Sequence, residues 1–595
     1  MKNTKLFILL ALGSVVSSCN KDFLQRNPQT EISPEAYFNT PKDLDTYINS
    51  LYDKQVTAPT NDESSDNISN YPGSTMELLV QKNITPATVG GWDNWSQLRS
   101  VNFMLDNVRK TQGDEALIKH YIGIARYFRA RFYFSKIATY GDVPWYSTAL
   151  SDVDQSMYKA RDPRANVADS MLADLSYAAE NIKADAGNGT RVNKYTALAL
   201  MARFCLFEGT FRKYHPEAPQ QNVDALLNKA VWACEQIMNS GKYRIYSTGK
   251  GGEDYRALFC GPTLAGNPEI IQWRDYPQSL GVGNDTHSVL GWTWSLSQSL
   301  VYSYLTKDGK PFSSVPNWDK LDFVATFKDR DPRLAETVSY PGFSTNQDAN
   351  LYIPKPNLGG YDQLKFYPRD PKQRQGWGAN YTGLPVYRYA EVLLTLAEAK
   401  AELGTITQTD LDNTVNQLRS RVQLPALAMG IAVDPFLDAQ YKNINNPNKG
   451  VLLEIRRERR VELACEGLRL NDLNRWYAGS NLKAMPQGMY VPAFGGIDMS
   501  GDGNADIAIL PNPSDTSSIA GLPADVRAKM SRFYLADKDG KENNFYLENG
   551  TSGHIMFTVN RNGREFIEPK YYYRPIPLQQ TVLNPKLEQL YGWKQ

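Results

Sequence analysis

Histidine is scarce in this chain. Only four occur in 595 residues, His120, His215, His287 and His554, too far apart in sequence to mark a histidine metal centre. Cysteine is scarce too: five, with no CxxC spacing, so there is neither a zinc motif nor a dithiol redox motif. Neither sign of charge dominates, since 65 Lys and Arg against 64 Asp and Glu leave +1. With no basic block, the electrostatic footprint of a nucleic-acid binder is missing. No segment after the first 18 residues is apolar enough to cross a bilayer. GxSxG, HExxH and a histidine beside a nucleophile are absent as well, which removes the signatures of the commoner hydrolases.

Aromatic residues are plentiful, with 35 Tyr and 11 Trp, and they need a use. The length exceeds one ordinary core and implies two or more lobes. The start of the chain reads as a secretory signal. Lys2 and Lys5 precede an apolar run from Leu6 to Val16, then Ser17, Ser18 and Cys19. The cysteine at the cleavage point resembles a bacterial lipobox, with Val16 where Leu is usual. This implies residues 1–18 as leader, lipid on Cys19, and residues 19–34 as tether. The lipid would be the only membrane anchor.

Helical periodicity organises most of the rest. A helix begins near Ser33, where Ser33-Pro34-Glu35 forms an N-cap with proline in the first turn. Others are expected near 42–51, 95–109, 117–140, 165–183, 193–212 and 223–240, and again at 386–404, 409–421 and 451–476. Paired helices with Ala at close contacts resemble tetratricopeptide repeats, without a strict 34-residue period. The expected fold is mostly α: tetratricopeptide-like helix pairs forming a scaffold, with a loop-rich ligand-binding face. The divisions are an N-terminal helical region 35–244, a loop-rich region 245–385, and a C-terminal region 386–595 carrying a loop-rich insertion 478–570. Cys205 and Cys465 fall in apolar helical patterns and read as core.

The densest charge lies between Glu454 and Trp476. Helical spacing stacks Glu458, Glu462 and Glu466 one turn apart, with Arg459 and Arg460 in reach. Paired carboxylates can do acid/base work only if their pKa values are split. Here arginines outnumber the acids and would hold them ionised, so a structural ion-pair network is the expectation, with Gly467 interrupting the helix.

Several segments together resemble the SusD/RagB family of nutrient-capturing surface lipoproteins, over nearly the whole chain. They are ARYFRARFYFSKIATYGDVP (125–144), YRYAEVLLTLAEAKAELG (387–404), VNQLRSRVQLP (415–425), ERRVELACEGLRLNDLNRW (458–476), PIPLQQTVLNPKLEQLYGW (575–593) and the turn Asp331-Pro332-Arg333. Ile124 and Cys465 depart from the usual Glu and aromatic. The resemblance implies a helical scaffold under a loop-built ligand face, binding without catalysis, and pairing with a SusC-like TonB-dependent transporter at the outer membrane. It implies a glycan ligand, or a peptide in some members.

The residues support binding independently. Sugars present flat C–H faces, which aromatic rings on loops can stack against. The candidates are Trp92, Trp292, Trp318, Tyr361 and Trp377, each beside Gly, Asn or Asp, and Trp294, two residues after Trp292 and on the same face if the segment is extended; the plainer reading of each is core packing. Trp95, Trp145, Trp232, Trp273, Trp476 and Trp593 read as core. Residues 498–506, DMSGDGNAD, put oxygens at Asp498, Ser500, Asp502 and Asp506 with Gly503 at the turn. This resembles short calcium loops of secreted proteins and makes a structural calcium one reading, an ordinary Asp/Gly/Asn-rich turn being the other; Ile509 stands where an EF-hand has Glu. No other cofactor is expected. Three readings follow: a surface lipoprotein delivering oligosaccharide to a transporter, a peptide-capturing member of the same family, and a secreted glycoside hydrolase using a pair such as Asp319 and Asp322.

Overall fold

The computed structural model describes residues 37–594 apart from 56, 70–72, 152, 186, 292 and 562, and without the side chains of 53–55. The leader, Cys19, the start expected near Ser33 and Trp292 lie outside the described residues.

The helices that carry the architecture are α1 (Pro41–Gln55), α2 (Trp95–Asn107), α3 (Glu115–Tyr140), α4 (Arg164–Asn181), α5 (Lys194–Tyr214), α6 (Val223–Met238), α7 (Gly252–Cys260), α8 (Tyr389–Glu402), α9 (Val415–Arg421), α10 (Lys449–Glu462) and α11 (Arg469–Arg475). α3 packs on α4, α5 on α6, α6 on α8 and α8 on α10. This is the tetratricopeptide-like stacking of successive helices. α3 starts because the Asp114 carboxylate accepts from the amides of Ala116 and Leu117 at 2.8 and 3.4 Å. It carries aromatics on more than one face, so it is buried between neighbours: Tyr127, Phe128 and Tyr133 are fully covered. Gly209 of α5 lets α6 come close, since a Cβ there would lie 3.0 Å from Leu227.

Strands are few and short. β1 (Ile68–Ser69) pairs antiparallel with β3 (Ser295–Leu296), and β2 (Ile270–Arg274) with β4 (Leu384–Arg388). In the C-terminal insertion, β5 (Tyr490–Val491) and β9 (Phe545–Leu547) flank β10 (Gly553–Phe557), while β6 (Gly495–Ile497) and β8 (Ser531–Tyr534) flank β7 (Ile507–Leu510). The loop-rich regions therefore build a second core of their own, around Tyr255, Phe259, Trp294, Tyr302, Tyr361 and Phe366.

Two expectations change. The segment 386–404 is not helical throughout: Leu384–Arg388 is strand and the helix begins at Tyr389. Pairing with β2 decides this, and its register places Trp273 opposite Pro385. The segment 409–421 divides into Gln408–Asp412 and α9. The segment 451–476 divides at Gly467, as its sequence implied, into α10 and α11, and the positive φ already starts at Cys465 (66°, with 72° at Gly467). At Gly467 a Cβ would lie 2.6 Å from Pro59, so the break is enforced by a neighbour as well as by conformation.

All four described cysteines are free and buried. Trp273 and Trp476 are core, as expected, but Trp232 is 39% exposed, with the Lys229 ammonium 3.8 Å above its ring. It sits on the outer face of α6.

Candidate functional site

A charge network buried almost throughout is centred on Glu462. Arg421 donates to both of its oxygens at 2.7 Å, Arg388 to Oε1 at 2.7 Å and Arg333 to Oε2 at 2.9 Å. Arg333 also bridges to Glu458 at 2.5 Å, and Arg388 to Glu466 at 2.6 Å and Glu269 at 2.9 Å. Burial by itself raises the Glu462 pKa, but the guanidiniums of Arg421, Arg388 and Arg333 outweigh it and hold the carboxyl well below its ordinary range. Glu458 and Glu466 are lowered by the same balance of burial against cations.

The stacked carboxylates are thus held as a network, though by other partners than expected. Arg459 turns to Asp472 at 2.8 Å, and Arg460 to Asn67, Ser299 and Ser303 at 2.8, 2.6 and 3.0 Å. The arginines that grip the Glu row come from the turn at 331–333, from β4 and from α9. They lie on the far sides of the row, where a fork can face two carboxylates at once. The network ties the helical scaffold to the loop-built half. Asp322, one of the carboxylates considered for hydrolysis, caps the helix Phe323–Phe327 by accepting from the Ala325 amide at 2.8 Å.

In the loop-built half, two loops are joined side by side. Asn284 and Asn380 exchange backbone hydrogen bonds at 2.7 and 3.1 Å. His287 Nδ1 lies 2.6 Å from Asn380 Oδ1, and the Asp285 carboxylate accepts from the Gly378 amide at 2.5 Å. The approach requires glycine: a Cβ on Gly283 would lie 2.2 Å from the Gly378 carbonyl oxygen. At the tip, between Gly376 (φ 102°) and Gly378 (φ 66°), stands Trp377, 60% exposed. Its ring meets His287 edge-on at 5.2 Å. Leu280 and Val282 are exposed on the companion loop. The result is a raised aromatic face with hydrogen-bonding groups at its base, the arrangement that suits a sugar ring.

The other aromatic candidates fare differently. Tyr361 is fully buried, stacked with Phe323 at 6.2 Å. Its backbone is drawn inward, the amide donating to Ser295 Oγ at 2.9 Å and the carbonyl accepting from Leu296 at 2.8 Å. Trp294 is interior, with Nε1 donating to Gln363 Oε1 at 3.3 Å. Trp92 packs edge-on against Tyr140 at 4.8 Å and is nearly covered. These three fill the cores instead of a ligand face, because the loops that carry them fold back onto buried partners. Trp318 is partly buried against Tyr302, Phe312 and Phe436. Asp285, His287 and Asn380 were not foreseen; only the Gly-Trp-Gly around Trp377 signalled that region.

In the loop 498–506 the carboxylates turn onto its own amides. Asp498 accepts from Gly501 and Gly503 at 2.6 and 2.9 Å, Asp506 from Met499 and Ser500 at 2.8 Å each, and Asp502 from Asn504 at 2.8 Å. That is the bracing of an Asx-type turn. Among the described residues no group of three or more His, Cys, Asp or Glu is placed to hold a metal ion, and no helix is long and apolar enough to cross a membrane.

Comparison with known proteins gives concordant matches. A family model described as SusD family matches residues 263–593, and one described as starch-binding associating with outer membrane matches 22–206. SusD-like protein P2 of Formosa agariphila is 25% identical over 513 residues, covering 81% of this chain and 92% of that protein. The crystal structure of a SusD-like protein from Bacteroides fragilis superposes with TM-score 0.67 at 20% identity, covering 95% of this chain and all (100%) of that one. A SusD-like carbohydrate binding protein from the same species superposes with TM-score 0.65 at 20% identity, over 93% of this chain and 99% of its own.

Proposed function

The chain belongs to the SusD family, and on that premise we propose that it is a cell-surface lipoprotein that binds oligosaccharide and hands it to a SusC-like TonB-dependent outer-membrane transporter. Lipid on Cys19 holds it at the outer membrane, facing outward. It binds without catalysis: the row of carboxylates in the scaffold is committed to guanidiniums, so none of them is placed to exchange a proton with a ligand.

The observation that carries the reading is the exposed Trp377 on its joined loops. A ring at the surface of a rigid scaffold gives weak, reversible stacking, of about 0.5–1.5 kcal/mol per ring, which suits a protein that must release its cargo. The experiment is affinity electrophoresis of the protein lacking residues 1–19 against a panel of polysaccharides, with a reducing-sugar assay on the same mixtures. Retardation without new reducing ends, weakened in Trp377→Ala, is expected. New reducing ends would overturn the non-catalytic reading. Absence of retardation on every glycan would favour a peptide cargo.

A further inference from the structure

Two exposed apolar side chains mark a second hollow. Tyr158 is 36% exposed and Leu583 is 60% exposed, and Leu578 and Val582 stand out from the same short helix as Leu583, Leu578–Leu583. Tyr158 and Leu583 line a pocket of about 430 Å³, within the roughly 300–1,000 Å³ typical of small-ligand sites. It opens between α2, the segment 144–158 and the C-terminal segment 580–587, and no residue of the joined loops lines it.

Its walls are braced by side chains that bond to backbone. Asn102 of α2 donates to the carbonyls of Tyr146 and Thr148 at 2.9 and 3.1 Å, Arg99 Nε to that of Leu150 at 3.0 Å, and Asn584 to that of Lys159 at 2.9 Å. Three stretches far apart in the chain are thereby tied around one preformed hollow. Its interior is aromatic and aliphatic. The Trp95 ring lies 5.3 Å from that of Trp92 and 5.7 Å from that of Tyr146, and Leu98, Met157 and Leu587 line the pocket beside them.

The polar side of the lining is of one kind. Arg99 is its only charged residue, and no Asp or Glu lines it. Beyond its contact with Leu150, the Arg99 guanidinium has neither a hydrogen bond nor an ion pair among the described residues. Trp95 Nε1 is buried and also lacks a hydrogen-bond partner among them, a spare donor in the same wall. An apolar pocket that offers donors and one cation, and no acid, fits a ligand with a hydrophobic body and an anionic end rich in acceptors. A guanidinium fork matches a carboxylate, and aromatic rings cover the body.

We propose that this pocket binds a small hydrophobic carboxylate, with its body between Trp95, Tyr146 and Leu583 and its carboxylate at the Arg99 guanidinium. The inference goes beyond the glycan reading and does not rest on it, so either can fail without the other. Walls of rings and leucines admit an aryl or an alkyl acid, and the experiment separates these two sources.

The test is isothermal titration at pH 7 and low salt of the protein lacking residues 1–19. The probes are 3-phenylpropanoate, hexanoate and the amide of each. At least one acid is expected to bind with Kd below about 1 mM, and the tighter of the two identifies the body as aryl or alkyl. That acid should bind about threefold or more tightly than its own amide, the size of effect an exposed ion pair gives, and the advantage should shrink as salt is added. Arg99→Gln is expected to remove the advantage of acid over amide. Leu583→Glu, which puts a negative charge at the mouth, should weaken acid binding about tenfold or more. Both side chains are exposed, so both variants should fold, and melting curves check this. Binding of neither acid, amides binding as tightly as acids, an advantage that survives Arg99→Gln, or acid binding indifferent to Leu583→Glu would overturn the assignment. Polysaccharide retardation, read on the same proteins, reports on the glycan reading separately.

Discussion

Arg388 and Glu462 meet at 2.7 Å across 74 residues of chain, with the side chains 2% and 0% exposed. One residue ends a strand of the loop-built half and the other ends a scaffold helix. Their contact joins two regions that the chain order keeps apart. Replacing Glu462 by Gln keeps the shape and one acceptor but leaves Arg333, Arg388 and Arg421 facing each other without their shared counter-charge. We expect a loss of about 3–5 kcal/mol, the usual cost of breaking a buried pair from one side. Urea unfolding is the measurement, and a loss below about 1 kcal/mol would show that the network is not what joins the halves.

The same carboxylates set the acid limit of the fold. Asp66 is buried, which would raise its pKa, but Arg460 and Arg469 outweigh burial and bring it to about 2. Glu458, Glu462 and Glu466 are also depressed. A depressed folded pKa contributes stability that is present above the unfolded carboxylate value of about 4 and is lost as pH falls through the folded value. The melting temperature should therefore fall steeply below about pH 4 to 5. Asp362 has the opposite sign: burial raises its pKa to about 6, so its contribution is lost as pH rises through 6. Asp362→Asn should remove the decline that this group imposes between about pH 4 and 6, while leaving the acid limb in place.

Trp377 and Tyr361 were equal candidates by sequence, and the structure separates them. Trp377→Ala should weaken glycan binding by about 0.5–1.5 kcal/mol and shift stability by no more than about 0.5 kcal/mol. Tyr361→Ala removes a fully buried ring and should cost about 3–5 kcal/mol of stability. A pair of titrations and thermal melts decides this; the reverse pattern would place the ligand face elsewhere.

Gly283 should be intolerant of a methyl group. A Cβ 2.2 Å from the Gly378 carbonyl oxygen forces the two loops apart and moves Trp377 with them. Gly283→Ala is expected to reduce glycan retardation as much as Trp377→Ala does, with a global stability loss under about 2 kcal/mol. Unaltered retardation would mean that loop pairing does not position the ring.

Structural calcium in the loop 498–506 is a proposal that must contend with amides already holding Asp498, Asp502 and Asp506. An ion would have to displace those hydrogen bonds. Millimolar calcium is therefore expected to raise the melting temperature by no more than about 1–2 °C, since only tight binding to the folded state gives a large shift. A larger rise, reversed by chelator and absent in Asp498→Asn, would establish the site.

Much of this protein was legible in its sequence. The helices of the scaffold follow from apolar periodicity and from caps such as Asp114, because both signals are local. Other features depended on the tertiary structure. Leu384–Arg388 is strand because β2 lies beside it, and its own pattern serves a helix equally well. Glu458, Glu462 and Glu466 find Arg333, Arg388 and Arg421 as partners, residues from distant segments that only the tertiary fold brings beside the row. Trp92 and Tyr361 follow a glycine as Trp377 does, yet only Trp377 stands out into solvent among the three. A local pattern of Gly, Asn and aromatic residues specifies a turn; which way the ring then points is decided by the neighbours that the fold brings to it.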